Sequence, residues 1–207
     1  MSTPPRVVGI LLAAGRGERF GGDKLLAKAQ STGGESAPGL PDLGAECVGV
    51  VACRHLLAAL RDVIAVVRPD DHALAAALGA AGARVVRCAN SDEGMGASLA
   101  CGVTVARDAA GWLVALADMP WVLPTTIARV AAAIAEGAPV AAPFHDGKRG
   151  HPVGFSAACY DKLAALSGDE GAKTVVAAYA DELAHIDVDD PGTLRDVDTP
   201  ADLQQQD

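Results

Sequence analysis

The stretch from Leu12 to Lys24 brings glycines and cations together directly after an apolar run. Its sequence is LAAGRGERFGGDK, with Gly15, Gly17, Gly21 and Gly22 beside the cations Arg16, Arg19 and Lys24. Glycine allows the backbone to turn sharply and to approach a ligand closely. Backbone N–H groups and fixed cations together bind the anionic oxygens of a polyphosphate. The stretch therefore predicts a loop that binds a nucleoside triphosphate, the alternative being an ordinary glycine-rich turn with solvated cations.

Two better-known phosphate loops do not match this stretch. A Walker A loop has Ser or Thr after its lysine, whereas Leu25 follows Lys24. The dinucleotide fingerprint G-x-G-x-x-G has Phe20 at its third glycine position. It also expects an acid after the next strand, where the run Val63 to Val67 is followed by Arg68. The dinucleotide-binding pattern of a dehydrogenase therefore fails at two independent positions.

Two aspartates are candidate metal ligands. Asp118 follows the apolar run Trp112 to Ala117, and Asp198 precedes Thr199-Pro200 near the C-terminus. Mg²⁺ prefers a few carboxylates together with phosphate oxygens and water. Each aspartate has an alternative explanation, because Asp also stabilises turns and helix starts.

Three further segments carry groups that suit a nucleotide or a second substrate. Asn90 to Val103 places Gly96 and Ser98 where backbone and hydroxyl groups can read a base edge, or where a helix simply begins. Lys148 to Pro152 is basic and turn-prone, which suits an anionic second substrate. His145 and His151 are predicted to be exposed loop histidines. Gly168 to Lys173 is a glycine-acid loop that opens a helix.

These segments alternate with runs that predict an α/β domain. Continuous apolar strands separated by helices predict a largely parallel sheet covered on both faces, with ligands at the carboxyl ends of the strands. The predicted strands are 7–12, 63–67, 84–87, 112–117, 140–143 and 183–188, and the predicted helices are 48–60, 71–81, 97–107, 125–136, 157–166 and 172–179.

The composition restricts the function classes. The chain has 207 residues, 50% of them hydrophobic, and a net charge of −9. We expect one domain over residues 1–207, with a mobile insertion loop at about 29–46 that is rich in Gly, Pro and Ser. The negative charge argues against nucleic-acid binding. The five cysteines form no C-x-x-C pair and predict reduced thiols. No apolar run is long enough to cross a membrane or to form a signal core, which predicts a cytoplasmic protein.

Six motifs in chain order resemble the nucleotidyltransferases of molybdenum cofactor maturation, and in particular their cytidylyltransferase, or MocA-like, branch. They are LAAG-x-G-x-R-F-G-G-x-K, G-M-x-x-S-L, Asp118-Met119-Pro120, R-G-H-P, G-D-x-G-A and D-x-D-T-P-x-D-L, spanning residues 6–203. The resemblance implies a single three-layer αβα domain with a Rossmann-like GT-A nucleotidyltransferase fold and a mostly parallel sheet. It also implies Mg²⁺-dependent transfer of CMP from CTP to a molybdopterin-type cofactor, with release of pyrophosphate.

The resemblance also assigns roles to residues. Catalytic roles fall to Lys24, Arg19 and Asp118. Mg²⁺ would be held by Asp118 and Asp198. By the same resemblance, the residues that would contact the triphosphate and the base are Leu12, Ala13, Ala14, Gly15, Arg16, Gly17, Arg19, Lys24, Gly96 and Ser98. The acceptor site would contain Gly150, His151, Pro152, Asp169 and Gly171.

Alternatives remain at this level. The guanylyl branch usually has L-A-G-G, so Ala14 favours cytidine, and GTP with the same or another phosphorylated acceptor is the rival. A non-catalytic delivery protein and a nucleotide-sugar glycosyltransferase are rivals of other classes. Lys173 stands where the family often has Arg, and the 29–46 loop replaces a short connection. A receiving molybdoenzyme or its chaperone is a further expected partner.

Overall fold

A mixed eight-stranded sheet with helices on both faces organises the chain. The computed structural model describes residues 6–15, 20–28, 46–169 and 171–203. The strands are β1 (Val7–Leu12), β2 (Val63–Val67), β3 (Arg84–Arg87), β4 (Gly111–Leu116), β5 (Val140–His145), β6 (Lys148–Arg149), β7 (Val153–Ser156) and β8 (Leu183–Asp187). The helices are α1 (Val48–Ala59), α2 (His72–Ala81), α3 (Met95–Val105), α4 (Pro124–Ala135), α5 (Tyr160–Ala164) and α6 (Lys173–Ala178).

The sheet order is β3-β2-β1-β4-β7-β5-β6, with β8 paired to β5. Strand β1 is parallel to both β2 and β4, and Leu12 is level with Val66 on one side and Leu116 on the other. The carboxyl ends of these three central strands therefore lie at one edge of the sheet. The α/β fold with a mostly parallel sheet is confirmed.

Strands β6 and β7 were not predicted as strands. β7 runs antiparallel to both β4 and β5, and β6 pairs with β5 as a hairpin. Because Lys148 and Arg149 are exposed and polar, the segment has no apolar pattern by which a strand is recognised.

Each face of the sheet is covered by its own set of helices. Leu56 of α1, Leu74 of α2 and Val130 of α4 pack in one cluster of buried residues. Leu99 of α3 and Leu163 of α5 pack in the other. Few aromatic residues contribute, so aliphatic side chains build most of both clusters. The two clusters produce the predicted three layers.

Local signals explain several element ends. Asp71 caps α2 by accepting a hydrogen bond from the Leu74 N–H at 3.1 Å, and Gly82 ends the helix at φ +110°. The predicted helix 157–166 begins instead with a 3₁₀ turn at Ala157–Cys159, and its α-helical part is only Tyr160–Ala164.

The mobile insertion loop at about 29–46 stays a prediction. All but one residue of the predicted insertion loop, residues 29–45, lie outside the described residues. No helix that the structure describes is long and apolar enough to cross a bilayer.

The five cysteines are free thiols. Burial raises the pKa of Cys53 to about 11, which keeps this thiol protonated and unreactive.

Candidate functional site

A cavity of about 300 Å³ opens at the carboxyl ends of β1 and β4. Four segments far apart in the sequence form it: the end of β1 with the described ends of the glycine loop, the beginning of α3 with its preceding turn, the end of β4 with the turn after it, and the glycine-acid loop at Asp169. The residues that line it are Leu12, Ala14, Gly15, Lys24, Leu25, Ser91, Asp92, Gly94, Met95, Ser98, Leu116, Asp118 and Asp169.

Lys24 joins the two predicted metal ligands. Its Nζ donates to Asp118 Oδ2 at 2.8 Å and lies 3.8 Å from Asp198 Oδ1. The Lys24 side chain is only 12% exposed. Asp118 and Asp198 therefore meet at one point, as required of two ligands to one cation, although Lys24 is the cation between them here.

The C-terminal segment is held against the end of β4 by the backbone. The Val197 N–H donates to the Asp118 carbonyl at 2.8 Å. Asp202 then accepts hydrogen bonds from the N–H groups of Asp198, at 3.0 Å, and Thr199, at 2.6 Å. These bonds, mainly that from Thr199, lower the pKa of Asp202, so its carboxylate stays charged and fixes the turn that carries Asp198.

Negative charge accumulates at this edge of the sheet. Burial first, and then the charges of Asp198 and Asp118, raise the pKa of Asp196, while Lys24 lowers it. Asp118 Oδ1 is buried and accepts no hydrogen bond from the part of the chain that the structure describes. A buried carboxylate oxygen without a donor is costly, so this atom suits a cation.

The donor set limits how such a cation is held. Within residues 6–15, 20–28, 46–169 and 171–203, no three His, Cys, Asp or Glu residues are grouped to hold a metal. Asp118 and Asp198 would supply two ligands, and phosphate oxygens and water would complete the shell. This is the arrangement that Mg²⁺ favours.

The beginning of α3 and the turn before it also line the cavity. Ser91 and Ser98 are buried there, 8% and 3% exposed. Gly96 does not line the cavity: its N–H donates to the Gly168 carbonyl at 2.7 Å, and a Cβ on Gly96 would lie 2.7 Å from the Ser167 carbonyl oxygen. Gly96 therefore allows α3 to contact the 167–169 loop.

The glycine-acid loop reaches the same cavity. Asp169 lines it directly. Gly171, at φ +56°, lies against Met95, a residue that is 47% exposed and lines the cavity. These two predicted acceptor residues therefore lie beside the predicted nucleotide residues.

The R-G-H-P segment lies elsewhere. A Cβ on Gly150 would lie 2.5 Å from the Thr193 carbonyl oxygen, and the His151 N–H donates to that same oxygen at 2.9 Å. His151 and Pro152 line a separate cavity of about 10 Å³, which His55 and Met119 also line. Gly150, His151 and Pro152 are thus absent from the lining of the large cavity.

The expectation of an exposed His151 is wrong. Its Nδ1 is buried and has no hydrogen-bond partner among the described residues. Burial, and to a smaller extent the charge of Arg149, lowers the pKa of His151, whereas the charge of Asp118 raises it. Because its polar neighbours suggested a surface turn, the sequence did not reveal that the segment packs on the turn at Thr193.

Three predicted triphosphate residues, Arg16, Gly17 and Arg19, lie outside the described residues. Ala13 is buried, and its N–H donates to the Val66 carbonyl at 2.9 Å. Ala13 thereby continues the pairing of β1 with β2 and supports the start of the loop.

A family comparison agrees with this geometry. The model of the MobA-like NTP transferase domain matches residues 9–183. The chain belongs to the MobA-like NTP transferase family. It is therefore a nucleotidyltransferase domain, and the resemblance drawn from the six motifs is confirmed at the level of this family.

Curated relatives match this MobA-like domain over nearly their whole length. The purine catabolism protein PucB of Bacillus subtilis is 29% identical over 207 residues, covering 95% of this chain and 93% of PucB. The nicotine blue oxidoreductase of Paenarthrobacter nicotinovorans is 30% identical over 203 residues, covering 94% of this chain and 93% of that protein.

Solved structures share the fold of the MobA-like domain. Rv0371c from Mycobacterium tuberculosis H37Rv has a TM-score of 0.77 and 26% identity, with 98% of each chain covered. A second structure of Rv0371c is a complex with manganese, with a TM-score of 0.74, 25% identity, and 99% and 98% of the chains covered.

Two residues that support the site of the MobA-like domain were missed in the sequence. Arg68, at the end of β2, donates from Nη1 to the Gly15 carbonyl at 3.3 Å and from Nη2 to Asp71 at 3.2 Å.

Asp190 is the second of these residues. It is 1% exposed and accepts from the Leu123 N–H at 3.0 Å and the Thr126 hydroxyl at 2.6 Å. An Asp before Pro-Gly is a turn signal, which is the only sequence sign of Asp190.

Asp190 is expected to be a large contributor to stability. Its carboxylate also accepts from the Gly192 N–H at 3.1 Å, so Asp190→Ala leaves three donors without their acceptor. We expect a loss of about 3 kcal/mol in the free energy of unfolding, measured by urea denaturation. Asp189→Ala is the matched control, since Asp189 is exposed and is expected to cost no more than about 0.5 kcal/mol. Equal losses in the two variants would contradict the role of Asp190.

Stability is expected to fall in mild acid because of His55. Burial lowers the pKa of His55, although its ring Nδ1–H bonds the Val122 carbonyl at 2.8 Å. Below the unfolded-state pKa of about 6.5, the unfolded chain binds a proton that the folded chain excludes. His55 therefore contributes stability above that pH and loses it as the pH decreases toward the lower, folded-state pKa.

Urea denaturation between about pH 7.5 and pH 5.5 tests this expectation. His55→Gln should reduce the loss of stability across that range. His72→Gln changes an exposed histidine and should leave the loss unchanged. A pH dependence identical in the His55→Gln variant and the unmodified chain would contradict the assignment.

Proposed function

We propose that this MobA-like domain transfers CMP from CTP to the terminal phosphate of a molybdopterin-type cofactor and releases pyrophosphate. The observation that carries the proposal is one cavity lined by Ala14, Lys24, Ser98 and Asp118. This cavity brings together the end of β1, where the glycine loop begins, with a buried hydroxyl, an ammonium group and a carboxylate. Together these groups suit a nucleoside triphosphate.

The reaction is an in-line displacement at the α-phosphorus. A terminal phosphate oxygen of the acceptor forms the new bond to phosphorus, the bond to the bridging oxygen of the β-phosphate breaks, and pyrophosphate leaves. Phosphoryl transfer of this kind depends mainly on positioning and charge neutralisation. No general base is required, because a phosphate nucleophile is already ionised at neutral pH. Lys24, with Arg19, is proposed to offset the charge that grows on the leaving pyrophosphate.

Asp118 and Asp198 are proposed to hold Mg²⁺. The fit is supported by the buried Asp118 Oδ1, which has no hydrogen-bond partner among the described residues, and by the convergence of both carboxylates on Lys24. The manganese complex of the relative Rv0371c gives independent support for a divalent cation. A bound Mg²⁺ supplies charge neutralisation on phosphate oxygens, while Asp202 keeps Asp198 in place.

Ala14 supports the choice of CTP over GTP. Its side chain is 9% exposed and lines the cavity, so its methyl group occupies space that a glycine would leave free for a larger base. Ser98, on the facing helix α3, is proposed to hydrogen-bond the base edge.

Asp169 and Gly171 are proposed to contact the acceptor from the cavity wall. Gly150, His151 and Pro152 were predicted to share this role. Gly150 and His151 pack on the turn at Thr193, and His151 and Pro152 line the smaller cavity. We therefore propose that this segment supports the turn that carries Asp118 rather than contacting the acceptor. A molybdoenzyme or its chaperone is the proposed receiver of the product.

Oxidation–reduction is a second candidate because one relative is named an oxidoreductase. The dinucleotide fingerprint is absent, since Phe20 replaces its third glycine and Arg68 follows β2 in place of the ribose-binding acid. Nucleotidyl transfer is therefore favoured over nicotinamide chemistry.

Pyrophosphate release with Mg²⁺ and purified molybdenum cofactor tests the proposal, with CTP, GTP, ATP and UTP compared. Release with CTP alone is the expected result. Release with GTP would assign the chain to guanylyl transfer and discard the argument from Ala14. No release with any of the four, together with oxidation of NADH or NADPH in the presence of a dye acceptor, would favour the redox candidate.

A further inference from the structure

Lys24 holds a position that conflicts with its proposed role on the triphosphate. Its ammonium group bonds Asp118 at 2.8 Å and faces Asp198 at 3.8 Å, and its side chain is largely buried. A 3₁₀ turn over Lys24–Leu26 fixes the backbone, with the Lys24 N–H on the Gly22 carbonyl at 2.8 Å. The structure therefore places this cation on the carboxylates that are proposed to bind the metal.

The same lysine lines the nucleotide cavity. We call Asp118, Asp196 and Asp198 the acidic edge. Lys24 therefore lies between the acidic edge and the space in which a triphosphate would bind. Rotations within its four-carbon stem can move the ammonium group between the two without moving the backbone. Phosphate oxygens in the cavity would give it a second set of anionic partners.

A divalent cation and the Lys24 ammonium group would repel each other if both bound the carboxylates of Asp118 and Asp198. Mg²⁺ binds oxygens at about 2.1 Å. A cation on the Asp118 oxygen that now bonds Nζ would lie within about 5 Å of that ammonium group, where the two positive charges repel. Asp196 lies close enough to Asp118 and Asp198 for their charges to act on it, so a third carboxyl group adds to the attraction of this region for a cation.

We propose that Lys24 and the divalent cation compete for Asp118 and Asp198, and that a bound nucleotide relieves the competition by drawing Lys24 onto its phosphates. This proposal rests on the metal site of the proposed function. It makes the nucleotide-free enzyme a poor metal binder and couples metal binding to nucleotide binding. By thermodynamic reciprocity, the metal strengthens nucleotide binding by the same factor.

The test measures Mn²⁺ binding to the full chain without nucleotide, from the loss of the free Mn²⁺ signal in electron paramagnetic resonance titrations. Lys24→Gln is expected to bind Mn²⁺ at least about tenfold more tightly than the unmodified chain, because the competing cation is gone. Lys28→Gln makes the same charge change at an exposed lysine of the same segment, and its Mn²⁺ affinity is expected to stay within about twofold. Adding Asp118→Asn to Lys24→Gln should abolish the gain.

Labelling of the unmodified chain gives a second readout that does not depend on a variant's folding. Without nucleotide, saturating Mn²⁺ should increase acylation of Lys24 relative to Lys28, followed by peptide mass spectrometry. Unchanged labelling at saturating Mn²⁺ would overturn the competition.

The outcomes separate this proposal from the proposed function. Equal or weaker Mn²⁺ binding in Lys24→Gln overturns the competition, and metal-dependent pyrophosphate release would then still stand as an independent result. Absence of Mn²⁺ binding in every variant, also with CTP present, overturns the metal site itself and this proposal with it.

Discussion

The Asp118→Asn variant is expected to lose at least about a hundredfold in kcat with CTP while it remains folded. Asparagine has nearly the same shape but lacks the charge that binds Lys24 at 2.8 Å and suits a divalent cation. The measurement is pyrophosphate release at saturating CTP and Mg²⁺, with circular dichroism and a thermal melt to verify the fold. Because the backbone carbonyl that accepts from Val197 is unchanged, the C-terminal segment should stay in place.

Asp108→Asn is the matched control for this variant. Asp108 is exposed and lies at the opposite end of β4 from the cavity, so the same loss of charge there should leave kcat unchanged. Near-normal turnover in Asp118→Asn would remove Asp118 from the metal site. A comparable loss in both variants would indicate a general effect of net charge.

The Lys24→Gln variant is expected to lose at least about tenfold in kcat/KM for CTP, which is about 1.4 kcal/mol. The reason is that glutamine cannot neutralise the triphosphate. The same substitution is expected to strengthen Mn²⁺ binding in the absence of nucleotide. Opposite effects of one change on two ligands are difficult to attribute to unfolding, which would weaken both.

The measurement is the initial rate of pyrophosphate release as a function of CTP concentration, with Lys28→Gln as the control. Lys28 is exposed, and its backbone forms a bridge with Cys47, so its substitution should leave kcat/KM unchanged. An unaltered CTP titration in Lys24→Gln would exclude Lys24 from the nucleotide site.

Much of the fold follows from local pattern. The buried runs of β1, β2 and β4 are continuous and apolar, as expected of strands covered on both faces, and their predicted bounds agree with the structure to within one residue. β6 and β7 escaped prediction because two exposed basic residues and a four-residue segment containing Gly154 carry no strand periodicity.

The contacts that support the site could not be predicted from the sequence. His151 was expected on the surface, yet it packs on the turn at Thr193, and that turn is held by Asp190 against the start of α4. A histidine between glycine and proline is compatible with either situation. Burial depends on which segment packs against it, which is a long-range property.

The sequence alone determined the α/β class, the glycine loop after β1, and Asp118 at the end of β4, because strand periodicity and turn residues act between near neighbours. Only the tertiary structure decided that Lys24, 94 residues from Asp118, occupies the acidic edge. It also decided that Gly96 supports the 167–169 loop and that the Nδ1 of His151 is buried. Parallel pairing aligns strand ends that are distant in sequence, and the contacts made there depend on charge, close packing and backbone hydrogen bonds that no local pattern encodes.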